Sequence, residues 1–400
     1  MSDETGGVLG QLIDASHQTP PHELGALIAE HAAGLGVSEA VMYLASLEQR
    51  TLEPLAGRGV PPREALDIDG TLGGRAYRDI NTLETTTDGW RRLWVPLLDG
   101  SARLGVLEAI TDRHDAAVGI ELRQFAGVAS ELIVSRSLYG DLFALTQRTR
   151  PMSLAAELQW SLLPPQTFND DRVTVSAVLE PAYAIAGDTF DYAFNGDQVH
   201  FAILDAMGHG FDATLLATVA LAAYRHARRS GYDLVETYDA MDRTVARQFE
   251  EHTFLTAQLA QLDPATGCLR WVNAGHHPPM LLRDGNHVSM LEAEPALPIG
   301  FGGTVDEVGE EWLEPGDTVL SYTDGLVEAR SPEGEFFGEE RLADLLVRAD
   351  AAALPAAETS RRLVHSVLDH QQGRLQDDAT VLLLCWHHGT QGDSAGSTGP

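Results

Sequence analysis

The sequence predicts an α+β protein in which two mixed units are joined by a helical segment. One observation is that short apolar runs typical of strands are separated by turns containing Gly, Asn and Asp. A second is that longer stretches carry apolar residues three and four positions apart, as amphipathic helices do. A third is the length of 400 residues, which suggests roughly two to three domains of about 150 residues each.

The charge balance is strongly acidic. The chain has 59 Asp and Glu residues against 27 Lys and Arg residues, a net charge of -32. Such a field repels nucleic acids and anionic membranes, so we expect neither as a partner, and it favours cations or basic protein surfaces. An alternative interpretation is that the acidity only keeps the protein soluble or reflects a high-salt environment.

Cysteine usage and the N-terminal sequence bear on the cellular compartment. The two cysteines, Cys268 and Cys385, have no paired-ligand spacing, which argues against a disulfide framework and a zinc ribbon. The N-terminus lacks the basic start and apolar run of a signal peptide. The longest apolar stretch, residues 214–224, is too short to span a bilayer. These features predict a cytoplasmic protein.

Changes in composition and pattern divide the chain into five segments. Residues 1–20 are polar and expected to be flexible, and residues 21–136 form a first α+β unit. Residues 137–165 form a helical signalling linker, and residues 166–386 alternate strands with two long helices in a second unit. Residues 387–400 have the composition of a disordered tail.

The first unit begins with a helix near Glu23 that ends at Gly34 or Gly36. The turn chemistry of Asp99-Gly100 joins the last two strands of the unit in a hairpin, and a helix over residues 116–135 follows. The predicted strands cover residues 39–47, 51–56, 92–98 and 103–110.

The linker is interrupted by Pro151, because proline removes a backbone donor and clashes with the preceding helical turn. Ser153 can cap a restarted helix, and Pro164 with Pro165 stops that helix. One interpretation of this segment is an ordinary connector packed on its neighbour. The other is a dimerising signalling helix, which predicts a homodimer.

Two aspartates of the second unit lie at the ends of predicted strands joined by a hairpin. Asn195-Gly196 is a strong two-residue turn signal between the strand that begins at Asp188 and the strand that ends at Asp205. An ideal turn there pairs Asp188 with Ile203, so the two carboxylates are diagonal neighbours on one face, roughly 7–8 Å apart. That spacing suits ligands around a pair of metal ions.

Two more aspartates complete the set of candidates. Asp324 follows an apolar strand, and Asp377 opens the last strand. Carboxylates held together repel by about 4 kcal/mol per close pair at an effective dielectric near 20, so a cation must neutralise them. Oxygen ligands favour Mg²⁺ or Mn²⁺ over zinc. Each aspartate alone is typical of a turn or a solvated strand edge, and the signal lies in the combination.

Several motifs of the second unit occur in the order found in one family. They are Leu158-Gln159 with Ser161-Leu162-Leu163-Pro164, Gly187-Asp188-Thr189-Phe190-Asp191, Asp205 with Gly208-His209-Gly210, Asn273-Ala274-Gly275-His276, Tyr322-Thr323-Asp324-Gly325 and Asp377-Asp378-Ala379-Thr380. Over residues 158–386 they resemble the SpoIIE/RsbU-like branch of PP2C-type (PPM) serine/threonine phosphatases. The resemblance implies a four-layer α-β-β-α sandwich and hydrolysis of phosphoserine or phosphothreonine.

The resemblance also implies roles for individual residues. Asp205 bridges two divalent ions, Mn²⁺ or Mg²⁺, and the carbonyl of Ala206 binds one of them. Asp324 and Asp377 bind the other ion. Asp188 acts at the metal site directly or through water. The implied reaction is attack of a metal-activated water on phosphorus, without a covalent enzyme intermediate.

Some positions depart from the family pattern or stay open. Thr189 stands where an aromatic residue is common, which changes local packing only. His209 lies two residues further from the metal-binding aspartate than the acid histidine of eukaryotic relatives, so we interpret it as a loop residue rather than a general acid. We interpret His276 and His277 as loop residues too. The role of Asp378 is open, because adjacent strand residues face opposite ways.

Residues 21–136 resemble a GAF sensory domain. The resemblance rests on the initial helix and on the strands containing Trp94-Val95-Pro96-Leu97 and Leu104-Gly105-Val106-Leu107. It implies an unknown small-molecule ligand. Because no cysteine precedes Cys268, a thioether-linked bilin in this unit is excluded by chemistry.

The family further implies a partner. Its usual substrate is a phosphorylated STAS-type anti-sigma-factor antagonist, whose dephosphorylation leads to release of a sigma factor. Two other classes of function are alternatives: a catalytically inactive scaffold that acts by protein binding, and a receptor whose main role lies in the GAF-like unit. The intact set of Asp188, Asp205, Asp324 and Asp377 argues against the inactive scaffold.

Overall fold

A computed structural model describes residues 3–181, 183, 187–373 and 375–387. The chain divides into two compact units, Met1–Met152 and Ser153–Pro400. Among the described residues, no helix has both the length and the apolar character that crossing a membrane requires. Of the predicted tail, only His387 lies within the described residues.

Unit 1 is a six-stranded antiparallel sheet with helices on both faces, and its strand order is β3-β2-β1-β6-β5-β4. The elements are α1 Asp3–Ser16, α2 Leu24–Ala32, β1 Val37–Ala45, β2 Thr51–Pro54, β3 Leu66–Asp67, α3 Leu72–Asp79, β4 Leu83–Thr87, β5 Trp90–Asp99, β6 Ala102–Thr111, α4 Ala117–Ser137 and α5 Leu142–Gln147. The predicted hairpin at Gly100 is confirmed, because Asp99 pairs with Ala102.

The N-terminal segment differs from the expectation. Residues 1–20 were expected to be flexible, and this is wrong for Asp3–Ser16, which forms α1. The physical reason is that Leu12 is fully buried in the same core cluster as the helices α2 and α4. Tertiary burial therefore outweighs the polar, glycine-containing composition of this segment.

Part of the predicted linker, residues 137–165, belongs to unit 1. Phe143 of α5 lies in the core of unit 1, and the backbone N–H of Leu47 donates to the carbonyl of Gln147 at 3.0 Å. The helix therefore packs with unit 1 up to Gln147. After Pro151, the helix α6 restarts as predicted, and the Ser153 side chain caps it by accepting from the N–H of Ala156 at 3.1 Å.

Unit 2 contains two antiparallel sheets with the orders β15-β12-β11-β10-β9 and β14-β13-β16-β17-β8-β7. Its elements are α6 Leu154–Trp160, β7 Thr167–Asn169, β8 Val173–Glu180, β9 Asp188–Asn195, β10 Gln198–Ala206, α7 Phe211–Arg229, α8 Leu234–Gln248, β11 Leu255–Asp263, β12 Cys268–Ala274, β13 Met280–Arg283, β14 His287–Met290, β15 Gly309–Trp312, β16 Thr318–Tyr322, α9 Asp324–Val327, α10 Glu339–Ala351, α11 Ala356–His370 and β17 Ala379–Trp386.

The helices of unit 2 cover one outer face of each sheet. Helices α7 and α8 share a core cluster with β10, β11 and β12, and α10 and α11 share another with β13, β16 and β17. On β10, Ala202 and Leu204 belong to the helical cluster, whereas Ile203 between them is buried on the other face. The sheets connect there, since the Ser321 hydroxyl donates to Gln258 Oε1 at 3.0 Å. This is a helix–sheet–sheet–helix arrangement.

The β9–β10 hairpin has a different register from the predicted one. Asn195 pairs with Gln198, so the two-residue loop is Gly196-Asp197 rather than Asn195-Gly196. Gly196 has a φ of 62° and neither neighbour has a positive φ, which is the pattern of a type II′ turn with Gly in its first central position. The shift of two residues keeps every side chain on its predicted face, and it makes Asp188 and Asp205 direct partners.

Candidate metal centre

Carboxylates from separate strand ends of unit 2 converge on one cavity of about 250 Å³. Asp188 begins β9, Asp205 is next to last in β10, and Asp324 follows β16 as the first residue of α9. Asp377 and Asp378 directly precede β17. The remaining lining residues are Gly187, Ala206, Met207, Gly208, Phe254 and Thr256. The structure thus brings together all the candidate site residues.

Asp188 is the most deeply held of the candidates. It is 3% exposed, and its Oδ2 accepts hydrogen bonds from the Thr323 hydroxyl at 2.6 Å and the Thr380 hydroxyl at 2.7 Å. Because Asp188 and Asp205 are opposite one another across β9 and β10, their Cβ atoms are about 5 Å apart rather than the diagonal distance expected. The prediction that the two share one end and one face of the hairpin is confirmed.

Sequence reasoning missed the two threonines. Besides bonding Asp188, the Thr323 hydroxyl accepts from the N–H of Thr380 at 3.0 Å, and the carbonyl of Thr380 accepts from the N–H of Thr323 at 3.1 Å. The adjacent ends of β16 and β17 are therefore locked together around the Asp188 carboxylate. The available signal was a threonine next to Asp324 and a second threonine two residues after Asp378.

Asp378 has a positioning role. It is 3% exposed, and its Oδ2 accepts from the backbone N–H groups of Gly187 at 2.8 Å and Asp188 at 3.2 Å. The neighbouring Asp377 is exposed, and its Oδ1 accepts from the N–H of Asp378 at 2.9 Å. Asp378 thus holds the start of β9, while Asp377 presents its carboxylate to the open side of the cavity.

Two glycines permit the close approach of these segments. A Cβ on Gly325 would lie 1.8 Å from the carbonyl oxygen of Asp378, and one on Gly187 would lie 2.8 Å from the carbonyl oxygen of Ala206. A side chain at Gly325 would displace α9 from β17 and carry Asp324 away from Asp377. The glycine after Asp324 is therefore required by packing and not only by a turn.

Burial and mutual repulsion raise the pKa of three carboxyls. The pKa of Asp205 is raised to about 7 by burial, with the charges of Asp324, Asp377 and Asp378 adding to it. Burial and the charges of Asp205 and Asp378 raise the pKa of Asp188 well above its ordinary value. Burial and the charge of Asp377 also raise the pKa of Asp324. Without a cation, the cluster resists carrying its full negative charge.

The donor set fits a hard divalent cation. Carboxylates and the Ala206 carbonyl are the oxygen ligands that Mg²⁺ and Mn²⁺ prefer, and a cation would relieve the repulsion that raises the carboxyl pKa values. As they stand, no three or more His, Cys, Asp or Glu side chains of the described residues form a group that could hold a metal ion.

The histidines have different environments. His209 is exposed and does not line the cavity. His276 lies in a loop as predicted but is buried, with Nδ1 at 2.8 Å from the Thr256 hydroxyl and Nε2 at 3.1 Å from the Tyr322 carbonyl. Burial lowers the pKa of His276 to about 4. His276 connects the two sheets beneath the site, and His277 stacks on Tyr322.

The second aspartate of the Asp188 motif faces away from the cavity. Asp191 is 1% exposed and is bound by Arg225, through Nη2 to Oδ1 at 2.8 Å, and by Arg228, through Nη1 to Oδ2 at 2.8 Å. Arg225 also donates to the carbonyl of Leu162 at 2.6 Å. Asp191 thus fastens α7 and the end of the α6 segment to β9.

Over part of its length, unit 2 is similar to SpoIIE-type phosphatases. Residues 195–387 match the family model "Stage II sporulation protein E (SpoIIE)". The domain is related to phosphoserine phosphatase RsbU of Bacillus subtilis, with 24% identity over 235 residues, or 58% of this chain and 69% of that protein. It is also related to phosphoserine phosphatase RsbP of the same organism, with 25% identity over 59% of this chain and 57% of that protein.

Two solved structures support the same fold. The RsbU and RsbW domains of a Mycobacterium tuberculosis protein match with 28% identity and a TM-score of 0.50, over 55% of this chain and 62% of that one. The SiaA-PP2C domain of Pseudomonas aeruginosa matches with 25% identity and a TM-score of 0.50, over 58% of this chain and 94% of that one. The family match lies wholly within unit 2.

Proposed function

We propose that the protein is a metal-dependent serine/threonine protein phosphatase that hydrolyses phosphoserine or phosphothreonine. The observation that carries the proposal is the convergence of five carboxylates on one cavity, four of them within the residues that match the SpoIIE family model. The similarity to two phosphoserine phosphatases, RsbU and RsbP, is consistent with it.

The metal ligands are those that the family resemblance implies, and all of them line the cavity. Asp205 would bridge two divalent ions, with the Ala206 carbonyl on one ion and Asp324 and Asp377 on the other. Asp188 would act on the ions directly or through water. When bound, Mn²⁺ or Mg²⁺ ions supply an activated water and offset the charge on the phosphoryl oxygens.

The chain's own groups position this machinery. Thr323 and Thr380 fix one oxygen of Asp188, so only its other oxygen is left for the cavity. Asp378 fixes the backbone that carries Asp188. Of the described residues that line the cavity, none carries a thiol, so we infer that water rather than a cysteine attacks phosphorus.

The substrate and the regulation are further parts of the proposal. By resemblance to its family, the phosphatase acts on a phosphorylated STAS-type anti-sigma-factor antagonist. We propose that unit 1 is a GAF-like sensor whose small-molecule ligand controls the phosphatase, within a homodimer. Its six-stranded antiparallel sheet with helices on both faces is compatible with that role.

The test is p-nitrophenyl phosphate hydrolysis by the full chain in Mn²⁺, with and without chelator. We expect metal-dependent turnover that Asp205→Ala abolishes. Asp197→Ala is the matched control, because Asp197 lies in the loop at the opposite end of the same hairpin. Equal turnover by the wild-type and Asp205→Ala proteins would refute the proposal.

One observation favours a second candidate, the catalytically inactive scaffold. Among the described residues, no three or more His, Cys, Asp or Glu side chains are placed so that together they could hold a metal ion. If the cavity never closes around a metal, the wild-type protein should neither bind Mn²⁺ tightly nor hydrolyse phosphomonoesters. Tight binding of Mn²⁺ accompanied by turnover would eliminate this candidate.

A further inference from the structure

An apolar surface borders the candidate metal centre. We call it the apolar rim and define it as Met207, Phe254 and Phe301. Phe254 and Phe301 stack with ring centroids 4.7 Å apart, and the N–H of Phe254 lies 3.4 Å from the sulfur of Met207. Met207 is 43% exposed and Phe301 is 42% exposed. Met207 and Phe254 also line the cavity, so the rim is continuous with the site.

The exposure of Phe301 is built into the fold. Asp242 of α8 is 6% exposed, and its Oδ1 accepts from the N–H groups of Gly300 at 2.7 Å and Gly302 at 3.1 Å. The preceding residue of the loop, Ile299, exchanges two backbone hydrogen bonds with Leu255, at 2.9 and 3.1 Å. A buried carboxylate and a strand bridge thus hold the loop that presents an aromatic ring to solvent.

We propose that the apolar rim is the docking surface for the polypeptide that carries the phosphorylated residue, and that it selects substrates with an apolar side chain close to the phosphoserine or phosphothreonine. This inference rests on the proposed function. Because Met207 and Phe254 belong both to the rim and to the cavity wall, a phosphorylated side chain that enters the cavity brings its flanking residues over the rim.

The net charge of the protein does not attract the phosphate of a substrate. The protein has a net charge of -32, and a phosphorylated residue carries about -1.5 to -2 charges at neutral pH. Long-range electrostatics therefore oppose the approach of an anionic substrate. Buried apolar contact beside the phosphate supplies attraction that does not depend on charge.

The experiment compares phosphoserine peptides with p-nitrophenyl phosphate on the full chain in Mn²⁺. One leucine is moved through the positions flanking phosphoserine in a Gly-Ser background. We expect leucine at one or more positions to raise kcat/KM roughly 10-fold, in the range for apolar contacts of one side chain. The kcat/KM for the leucine peptide is then divided by the kcat/KM for p-nitrophenyl phosphate. In Phe301→Ala this ratio should fall by about 10-fold, and Phe301→Leu should restore most of the loss.

The matched control is Trp312→Ala. Trp312 is 57% exposed and pairs with Cys268, which pairs with Asp263 at the end of β11 remote from the cavity residue Thr256. Its removal should leave the ratio and the leucine preference unchanged. The ratio also corrects for any loss of folded protein, since both substrates then lose turnover equally.

The outcomes distinguish failure of the docking-surface proposal from failure of the proposed phosphatase function. Turnover of both substrates with no leucine preference, or with a preference that Phe301→Ala leaves intact, would overturn the docking surface and leave the phosphatase standing. A loss of the same size in Trp312→Ala would also overturn it. Failure of the wild-type protein to hydrolyse either substrate in Mn²⁺ would instead overturn the proposed function. It would also overturn the proposal that the apolar rim binds a phosphorylated polypeptide.

Discussion

The two faces of β9 hold buried carboxylates in opposite ways. On one face, Asp191 is bound by the guanidinium groups of Arg225 and Arg228. On the other, Asp188 accepts from two hydroxyls, and the charges that act on it belong to the carboxylates Asp205 and Asp378. A fold can easily supply arginines to a buried carboxylate, as it does for Asp191. The use of hydroxyls and further carboxylates around Asp188 indicates that the neutralising cation comes from outside.

The surroundings of a buried acid in unit 1 show the same contrast with those of Asp188 in the candidate metal centre. One of the buried acids of unit 1, Glu108, is 1% exposed and lies 2.9 Å from Arg63 Nε and 3.4 Å from Arg92 Nε. Like Asp191, it has its counter-charges within the chain. Asp188 is therefore distinguished from these structural acids by its surroundings and not by its burial, which it shares with them.

The largest expected effect is that of Asp205→Asn on activity. Removing the carboxylate that is proposed to bridge the metal ions should lower metal-dependent turnover of p-nitrophenyl phosphate by roughly 1,000-fold or more. Because Asp205 is repelled by its neighbours without metal, the variant should be at least as stable as the wild type under chelating conditions. Activity assays and urea denaturation in chelator measure the two effects. Lower stability in chelator would place Asp205 with the structural acids.

Asp191→Ala, in contrast, should lower the free energy of unfolding. It leaves the 7% exposed Arg228 without its partner, and breaking a buried pair in this way costs about 3–5 kcal/mol of unfolding free energy. Urea denaturation measures the loss. Asp239→Ala is the control, because its pairing with Arg243 at 3.9 Å is exposed and worth about 1 kcal/mol or less. Equal losses in the two variants would remove the distinction between the faces of β9.

Addition of metal should stabilise the wild-type protein but not the Asp205→Asn variant. A ligand at about 100 times its Kd stabilises the native state by about 2.7 kcal/mol, so Mn²⁺ should raise the Tm of unit 2. Asp205→Asn should lose this increase, because its cavity lacks the carboxylate that is proposed to bridge the metal ions. A Tm scan with Mn²⁺ and with chelator checks this. An equal rise in both proteins would assign the effect to a different site.

Thr323→Val should have an intermediate effect on turnover. The substitution keeps the shape of the side chain and removes the hydroxyl that donates to Asp188 and accepts from Thr380. Loss of a residue that orients a metal ligand typically costs about 10- to 100-fold in activity or metal affinity. Turnover measured across a range of Mn²⁺ concentrations tests this. Unchanged turnover and metal dependence would show that the hydroxyl does not orient Asp188.

The smallest expected effect is that of His209→Ala. His209 is exposed and outside the cavity lining, so its removal should change kcat by less than about 2- to 3-fold, well below the usual contribution of a general acid. Steady-state kinetics over pH 6–9 checks this. A large drop, confined to pH values at which the imidazole is protonated, would restore the histidine as an acid.

Local signals account for much of what the sequence could predict. The Ser153 cap, the Gly100 hairpin and the helices α7 and α8 each follow from a few neighbouring residues. The convergence of the aspartates was predicted because all of them lie at strand ends. The faces of the β9–β10 hairpin were also correct, since side-chain alternation survives a register shift of two residues.

Features set by distant contacts could not be read from the sequence. The helix α1 is held by burial of Leu12, and the role of Asp378 depends on contact with Gly187, a residue far away in the chain. The turn type at Gly196 was ambiguous, because Asn-Gly and Gly-Asp are both acceptable loops. The threonines around Asp188 and the burial of His276 likewise arise only when both sheets are assembled.

Isothermal titration calorimetry of Mn²⁺ binding to the metal-free wild-type and Asp205→Asn proteins tests the central claim most directly. The claim is that, among the described residues, no cationic side chain offsets the charges of Asp188 and Asp205 until a metal ion binds. It predicts saturable binding to the wild type with release of protons at pH 7, because the pKa of Asp205 is raised to about 7, and loss of that binding in the variant. Absence of saturable binding in the wild type, or equal binding in both proteins, would contradict it.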